Sequence, residues 1–217
     1  MKNLMNIEVR KHFSLGEEIA NSVTHGIGML LSIVALLLLI IKGGREKDSL
    51  YLISVIIYSM SMITLYFSSM LYHGFPKSKA KDIFEKFDHA SVYLLIAGTY
   101  TPYCLVAVGG TKGIVICLIQ WTLAITGVVF KTIWIDKFVK LHVVIYLIMG
   151  WLIVFFGKTI YTSMSPSGFM LLFTGGMFYS VGVLFYVFDW FKYHHLVWHL
   201  FVLFASISIF FSIYLYL

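Results

Sequence analysis

The fold is decided by one uncharged stretch, which spans Leu50–Tyr72 and reads LYLISVIIYSMSMITLYFSSMLY. Its 23 residues include no charged residue, proline or glycine. A helix of about 20 apolar residues crosses the hydrocarbon core of a bilayer, whereas a strand of a membrane barrel is shorter and alternates in polarity. The stretch therefore predicts a membrane-spanning helix.

The composition of the whole chain extends this interpretation. Of its 217 residues, 60% are hydrophobic and 12% are charged, whereas a soluble domain has about 45–50% and about 25%. Apolar stretches bounded by charged or turn residues predict seven spans: Ser22–Ile41, Leu50–Tyr72, Ala90–Val108, Gly113–Phe130, Val139–Gly157, Gly168–Phe188 and Leu196–Leu217. We predict an all-α integral membrane protein, a seven-transmembrane helix bundle forming a single domain over residues 1–217, with a short N-terminal stub over residues 1–20.

Positive charge is distributed unequally between the two sides of this predicted bundle. Eleven basic residues lie on one side: Lys2, Arg10, Lys11, Lys77, Lys79, Lys81, Lys86, Lys131, Lys137, Lys140 and Lys192. Five lie on the other: Lys42, Arg45, Lys47, Lys112 and Lys158. Because Lys and Arg resist translocation, the richer side is predicted to be cytoplasmic, with the N-terminus inside and the C-terminus outside the plasma membrane.

The net charge of +6 indicates which kind of partner the protein contacts. Its basic residues belong mainly to the predicted inner loops, so we expect contact with anionic headgroups of membrane lipids. A basic groove with interleaved aromatic residues is not apparent, and nucleic acid is not an expected partner. The sequence also gives no evidence of a soluble partner.

Three histidines lie at the same-side ends of two predicted spans. His73 follows the second span, and His195 and His199 open the seventh with the spacing H-x-x-x-H. Residues four apart share a helix face, so this pair could hold one metal ion while His73 approaches from another helix. Three imidazoles without cysteine suit Zn2+ better than calcium or magnesium, although copper, nickel and iron remain open. The alternative is that each histidine is an ordinary interfacial residue.

Two further residues could act beside such a metal. Zinc with three protein ligands keeps a position for water and lowers the pKa of that water to about 7. Asp88, expected at the start of the third span, is the candidate catalytic group to hold and deprotonate the water; alternatively, it caps the helix. Ser69, one turn before His73, could donate to the water or to a substrate carbonyl, or could be a small residue at a helix contact.

A third constellation lies at the beginning of the first span. Glu18, Asn21 and His25 follow the spacing E-x-x-N-x-x-x-H, which places the three side chains along one helix stripe. They could support the metal ligands through hydrogen bonds. Stabilisation of the helix start remains the alternative.

These motifs together resemble those of a known family. E-x-x-N-x-x-x-H at Glu18–His25, S-x-x-x-H at Ser69–His73 followed by Asp88, and H-x-x-x-H at His195–His199 are similar to the signatures of the progestin and adipoQ receptor superfamily, and the short chain resembles its bacterial hemolysin III branch. The resemblance implies a cytoplasm-facing zinc bound by His73, His195 and His199, with Asp88 contacting it through water. It also implies kinship with alkaline ceramidases, which hydrolyse lipid amides.

The leading hypothesis is therefore a zinc-dependent hydrolase of lipid amides or esters that serves membrane homeostasis. The first alternative is a pore-forming or cytolytic hemolysin, and the second is a ligand-sensing, receptor-like protein with a structural zinc. An ion pathway is not favoured, because polar candidates in the middle of the spans are few, with Gln120 and scattered Ser and Thr residues.

Overall fold

The computed structural model describes residues 13–46, 48–134 and 138–217. The helices in chain order are α1 (Leu15–Glu46), α2 (Ser49–Gly74), α3 (Lys79–Pro102), α4 (Gly110–Ile133), α5 (Val139–Trp151), α6 (Gly157–Ser163), α7 (Pro166–Val187) and α8 (His194–Tyr216). A π-helix (Tyr103–Val108) extends α3, and a 3₁₀ turn (Leu152–Phe156) joins α5 to α6 as one span. Seven spans are thus long and apolar enough to cross a membrane, and the predicted seven-helix bundle is confirmed.

The helices pack as a closed ring. Each of α1 to α4 contacts its neighbour in sequence, α5 contacts α3, α4 and α7, and α8 contacts both α7 and α1. The contact between α8 and α1 closes the ring and places the first helix beside the last. Large apolar side chains such as Leu118 and Phe155 point outward, 62% and 85% exposed, as expected of a surface that faces lipid.

Two glycines allow the first three helices to approach closely. A Cβ atom added at Gly28 of α1 would lie 2.5 Å from the ring of Tyr66 on α2. A Cβ added at Gly98 of α3 would overlap the Ser61 side chain of α2. Because neither glycine has a side chain, α2 packs tightly between α1 and α3 at mid-length.

Two helices begin more than one turn earlier than the hydropathy pattern predicted. Helix α1 begins at Leu15, so the predicted stub over residues 1–20 overlaps its first turns. The N–H and hydroxyl of Ser14 both donate to Glu17 Oε2, at 2.9 and 2.7 Å, so the Glu17 carboxylate caps the start of the helix as it does in a capping box. Helix α3 begins at Lys79 with Ser78 as its cap. Hydropathy marks the part of a helix that lies in hydrocarbon, whereas capping residues determine where the helix begins.

The early start of α3 corrects one interpretation of Asp88. This residue lies nine positions after Lys79, well inside the helix, and Ser78 accepts the capping hydrogen bond from the Lys81 N–H. The alternative that Asp88 caps the third helix is therefore wrong.

The fifth span is interrupted in its middle, and polar side chains of other helices bind the freed backbone groups. Tyr100 of α3 donates to the Gly150 carbonyl at 2.9 Å and accepts from the Ile153 N–H at 2.7 Å. Gln120 of α4 donates to the Met149 carbonyl at 2.9 Å. Backbone polar groups at membrane depth need such partners. Gln120 thus supports a helix break.

The orientation of the bundle can be tested directly. We expect a phosphatase fused after Leu217 to be active outside the cell and a green fluorescent protein at the same position to be dark, because the basic loops resist export. The same fusions placed after Lys192, in the loop before α8, should give the opposite pair of signals. Fluorescence from the fusion after Leu217 would show that the predicted orientation is reversed.

Candidate metal centre

Three imidazoles meet at the end of the bundle where α2 ends and α8 begins, which we call the histidine end. His73 lies in the last turn of α2, and His195 and His199 lie in the first two turns of α8. All three are buried, and one nitrogen from each lies within 4.8 Å of the others. The ring centroids are separated by 5.3, 5.1 and 4.7 Å. This buried cluster could bind a metal ion.

The orientation of His73 is fixed by a carboxylate from α1. The distance from His73 Nδ1 to Glu18 Oε2 is 2.6 Å, and the other carboxylate oxygen accepts from Lys81 Nζ at 2.9 Å. Lys81 also donates to the Tyr72 carbonyl at 2.8 Å. A carboxylate at Nδ1 fixes the ring and increases the basicity of Nε2, which is the usual support for a metal-binding histidine. The predicted supporting role of Glu18 therefore has a direct geometric basis.

His199 is held by two other residues of α1. Its Nδ1 donates to the main-chain carbonyl of Asn21 at 3.3 Å. The ring of His25 stacks on it, with centroids 3.5 Å apart and planes inclined by 9°. His25 in turn meets the edge of Tyr66. The sequence pointed to the side chain of Asn21, whereas the contact with His199 is made by its backbone, which no residue pattern identifies.

We expect Glu18→Gln to weaken metal binding about 10- to 100-fold, because an amide at His73 Nδ1 cannot replace the negative charge of the carboxylate. The measurement is competition of the purified protein with a chelator of known zinc affinity. Ser22→Ala is the matched control, since Ser22 also joins α1 to α2, and its hydroxyl donates to the Met70 carbonyl at 2.9 Å and not to a histidine. Equal affinity of both variants and the unchanged protein would contradict the role of Glu18.

Two residues near the cluster were missed by sequence reasoning. Glu17 Oε1 accepts from the Tyr193 N–H at 3.0 Å, immediately before α8, where Tyr193 has a positive φ of 67°. Glu17 thereby ties the start of α1 to the start of the helix that bears His195. The ring of Phe13 lies 4.8 Å from that of His195 and 5.7 Å from that of His73, so it covers the cluster. The S-x-x-E pattern that begins at Ser14 could have indicated Glu17. No pattern in the sequence indicated Phe13.

An apolar cavity begins at the cluster and continues into the bundle. His195, His199, Asp88 and Ser69 line its histidine end. Its remaining wall is mainly aliphatic and aromatic, from α3, α5, α7 and α8, and includes Val92, Leu95, Leu147, Phe169, Leu172 and Val202. Asp88 is half-buried and Ser69 is buried. The two predicted catalytic residues therefore share one cavity with two of the three predicted ligands.

The other described histidines have different environments. His194 Nδ1 contacts the Phe185 carbonyl at 2.7 Å, and its Nε2 lies 3.2 Å from Asp189 Oδ1. His142 Nδ1 lies 2.7 Å from the hydroxyl of Tyr93. His89 lies next to Asp88 on α3 and lines the cavity. His12 falls outside the described residues. Some of the histidines on this side of the bundle, such as His194 and His142, therefore form hydrogen bonds between parts of the protein and are not among the clustered ligands.

The donor set fits a borderline transition metal, of which zinc is one. His73 Nε2 is buried and makes no hydrogen bond to the residues that the structure describes. His199 uses Nδ1 for Asn21, which leaves Nε2 as an acceptor. Neutral nitrogen donors in a buried site suit zinc or another borderline transition metal and not calcium or magnesium.

Comparisons with known proteins agree with the motifs. Residues 13–210 match the family described as Haemolysin-III related. The chain is 46% identical over 204 residues to a hemolysin-3 homolog of Bacillus subtilis (strain 168), covering 94% of this chain and 96% of that protein. It is 42% identical over 200 residues to hemolysin-3 of Bacillus cereus, covering 92% and 91%. It is 28% identical over 208 residues to the human monocyte to macrophage differentiation factor, covering 93% and 84%.

Proposed function

The chain belongs to the haemolysin-III related family, the match spanning residues 13–210, and we propose that it is a zinc-dependent hydrolase of lipid amide or ester bonds in the cell membrane. His73, His195 and His199 would hold the zinc. The observation that carries the proposal is the position of this buried imidazole cluster at the end of an apolar cavity. A structural metal would need no such cavity, whereas a lipid hydrolase needs space for an acyl chain beside its reactive group.

A bound zinc ion would supply Lewis-acid polarisation of a carbonyl group and would acidify a water molecule. Asp88 would accept a proton from that water and return it to the leaving amine or alcohol. Ser69 would donate a hydrogen bond to the substrate carbonyl. Glu18 would hold His73 in place, and the apolar wall would exclude bulk water and orient the acyl chain.

The proposal is tested by removing and restoring the metal. Purified protein in lipid nanodiscs is treated with a strong chelator, desalted and incubated with ceramides, N-acyl amides and phospholipids, and released fatty acid is measured by mass spectrometry. We expect release to require zinc and to return when zinc alone is added back. Equal release before and after chelation, or zinc bound without release from any of these lipids, would contradict a catalytic role.

A second candidate function follows from the name of one relative. The Bacillus cereus protein that is 42% identical to this chain is called hemolysin-3. If this chain permeabilised membranes, liposomes that contain it would release an entrapped dye whether or not zinc was present. We favour the hydrolase, because the described helices leave a cavity at the histidines and close around it as a ring.

The remaining alternative is a receptor-like protein in which zinc is structural. It shares the same three ligands and differs in what Asp88 does. If the zinc is structural, the Asp88→Asn variant should still respond to its ligand. Lipid turnover should then be the same in this variant and in the unchanged protein.

A further inference from the structure

We propose that the deep part of the cavity is a binding subsite for a neutral oxygen on an acyl chain, such as a hydroxyl in its distal part, and that Thr99 and Tyr103 provide its hydrogen bonds. The inference rests on the proposed function in one respect, namely that the cavity holds an acyl chain. The new element is the chemical class of acyl chain that the cavity selects.

Thr99 is the first of the two residues. It is 8% exposed and lines the cavity, and its hydroxyl makes no hydrogen bond to the described residues. A buried threonine in a helix commonly donates to the carbonyl four residues earlier. Thr101, two positions later, does so to Ala97 at 2.9 Å and also accepts from Trp121 Nε1 at 3.1 Å. Helix geometry therefore does not account for the unpartnered hydroxyl of Thr99.

Tyr103 is the second residue and lies four positions after Thr99. It is 1% exposed and lines the same cavity. Its hydroxyl makes no hydrogen bond among the described residues, although Ser212 is nearby; the Ser212 hydroxyl donates to the Gly168 carbonyl at 2.7 Å. The π-helix begins at Tyr103, directly after Pro102. Such widened turns recur at functional sites, because they redirect a side chain.

The position of the two hydroxyls matches the distal part of a long acyl chain. Thr99 follows Asp88 by 11 residues, which corresponds to about 16 Å along the helix at 1.5 Å per residue, and Tyr103 lies about 22 Å away by the same measure. A long acyl chain whose carbonyl lies beside Asp88 would extend its distal carbons past them. Neighbouring wall residues, such as Leu95, Ile153 and Leu172, are apolar.

The chemistry at this depth favours a neutral ligand oxygen. The cavity wall has its carboxylate and its imidazoles at the histidine end. These residues are Asp88, His25, His89, His195 and His199. Deeper, the described wall offers tyrosine, threonine and serine hydroxyls, which cannot compensate an ionic charge. A buried hydroxyl without a partner is unfavourable, so a ligand that supplies one gains affinity relative to a plain hydrocarbon.

The test compares stearic acid with hydroxystearic acids that carry the hydroxyl at successive carbons. Binding to the purified zinc-loaded protein is measured by isothermal titration calorimetry. We expect an isomer with a distal hydroxyl to bind about three- to tenfold more tightly than stearic acid, as one or two neutral hydrogen bonds allow. Thr99→Val or Tyr103→Phe should abolish this preference while leaving stearic acid binding unchanged.

The controls are a second threonine of α3 and a buried tyrosine of α2. Thr101→Val removes a hydroxyl from α3 outside the cavity, and Tyr58→Phe removes one from α2 whose contact is the Ser206 carbonyl at 3.5 Å. Both should keep the preference. Equal binding of all acids by the unchanged protein would overturn the subsite. It would leave the hydrolase proposal intact, since free acids contain no amide or ester bond and their binding does not test hydrolysis. If no acid bound, the acyl cavity itself and this inference would both be overturned.

Discussion

Replacing His73 or His195 by alanine is expected to abolish stoichiometric zinc binding and, with it, lipid hydrolysis. Each variant removes one of three imidazoles whose nitrogens lie within 4.8 Å of one another. Losing even an indirect supporting contact costs about 10- to 100-fold in metal affinity, so losing a ligand should exceed that range. Zinc per chain, measured by inductively coupled plasma mass spectrometry, should fall from about one ion to background.

The same variants should be less stable, because a metal that joins α2 to α8 binds the folded state and not the unfolded one. A chelator should lower the melting temperature of the unchanged protein and have no effect on the variants. His194→Ala is the comparison, since it removes the neighbouring buried imidazole, whose ring nitrogens contact Phe185 and Asp189 and which is not one of the three clustered ligands. Full zinc occupancy in the His73→Ala variant would exclude the three-histidine site.

Replacing Asp88 by asparagine is expected to slow hydrolysis about 10²- to 10⁴-fold while zinc stays bound, because the amide cannot accept a proton. Asp88 lines the cavity with His195 and His199 and is not one of the three clustered ligands. The measurements are the initial rate of fatty acid release and the zinc content of the same preparation.

Asp82→Asn provides the comparison, because Asp82 is an exposed carboxylate in the first turn of the same helix. It should leave the rate and the zinc content unchanged. Loss of zinc in the Asp88 variant would instead assign this carboxylate to metal binding. An unaltered rate would show that another group accepts the proton.

The sequence was sufficient for the seven spans and for the depth of the histidines. Hydropathy is a property of each segment alone, and every span must cross the same hydrocarbon layer, so residues at matching ends of spans come to matching depths. The H-x-x-x-H spacing likewise fixed a shared face for His195 and His199 without knowledge of any neighbour. Capping residues were the signal that hydropathy overlooked, and they moved the starts of α1 and α3.

Only the tertiary structure decided which helix faces meet. Glu18 and His73 are 55 residues apart, and Asn21 and His199 are 178 apart, so no local pattern could pair them. The backbone carbonyl of Asn21, the ion pair of Lys81 with Glu18 and the cavity shared by Asp88 and His199 all depend on how distant helices rotate and pack. Local sequence sets the length, depth and polarity of each helix, whereas rotation about its axis is set by side-chain packing against the other helices.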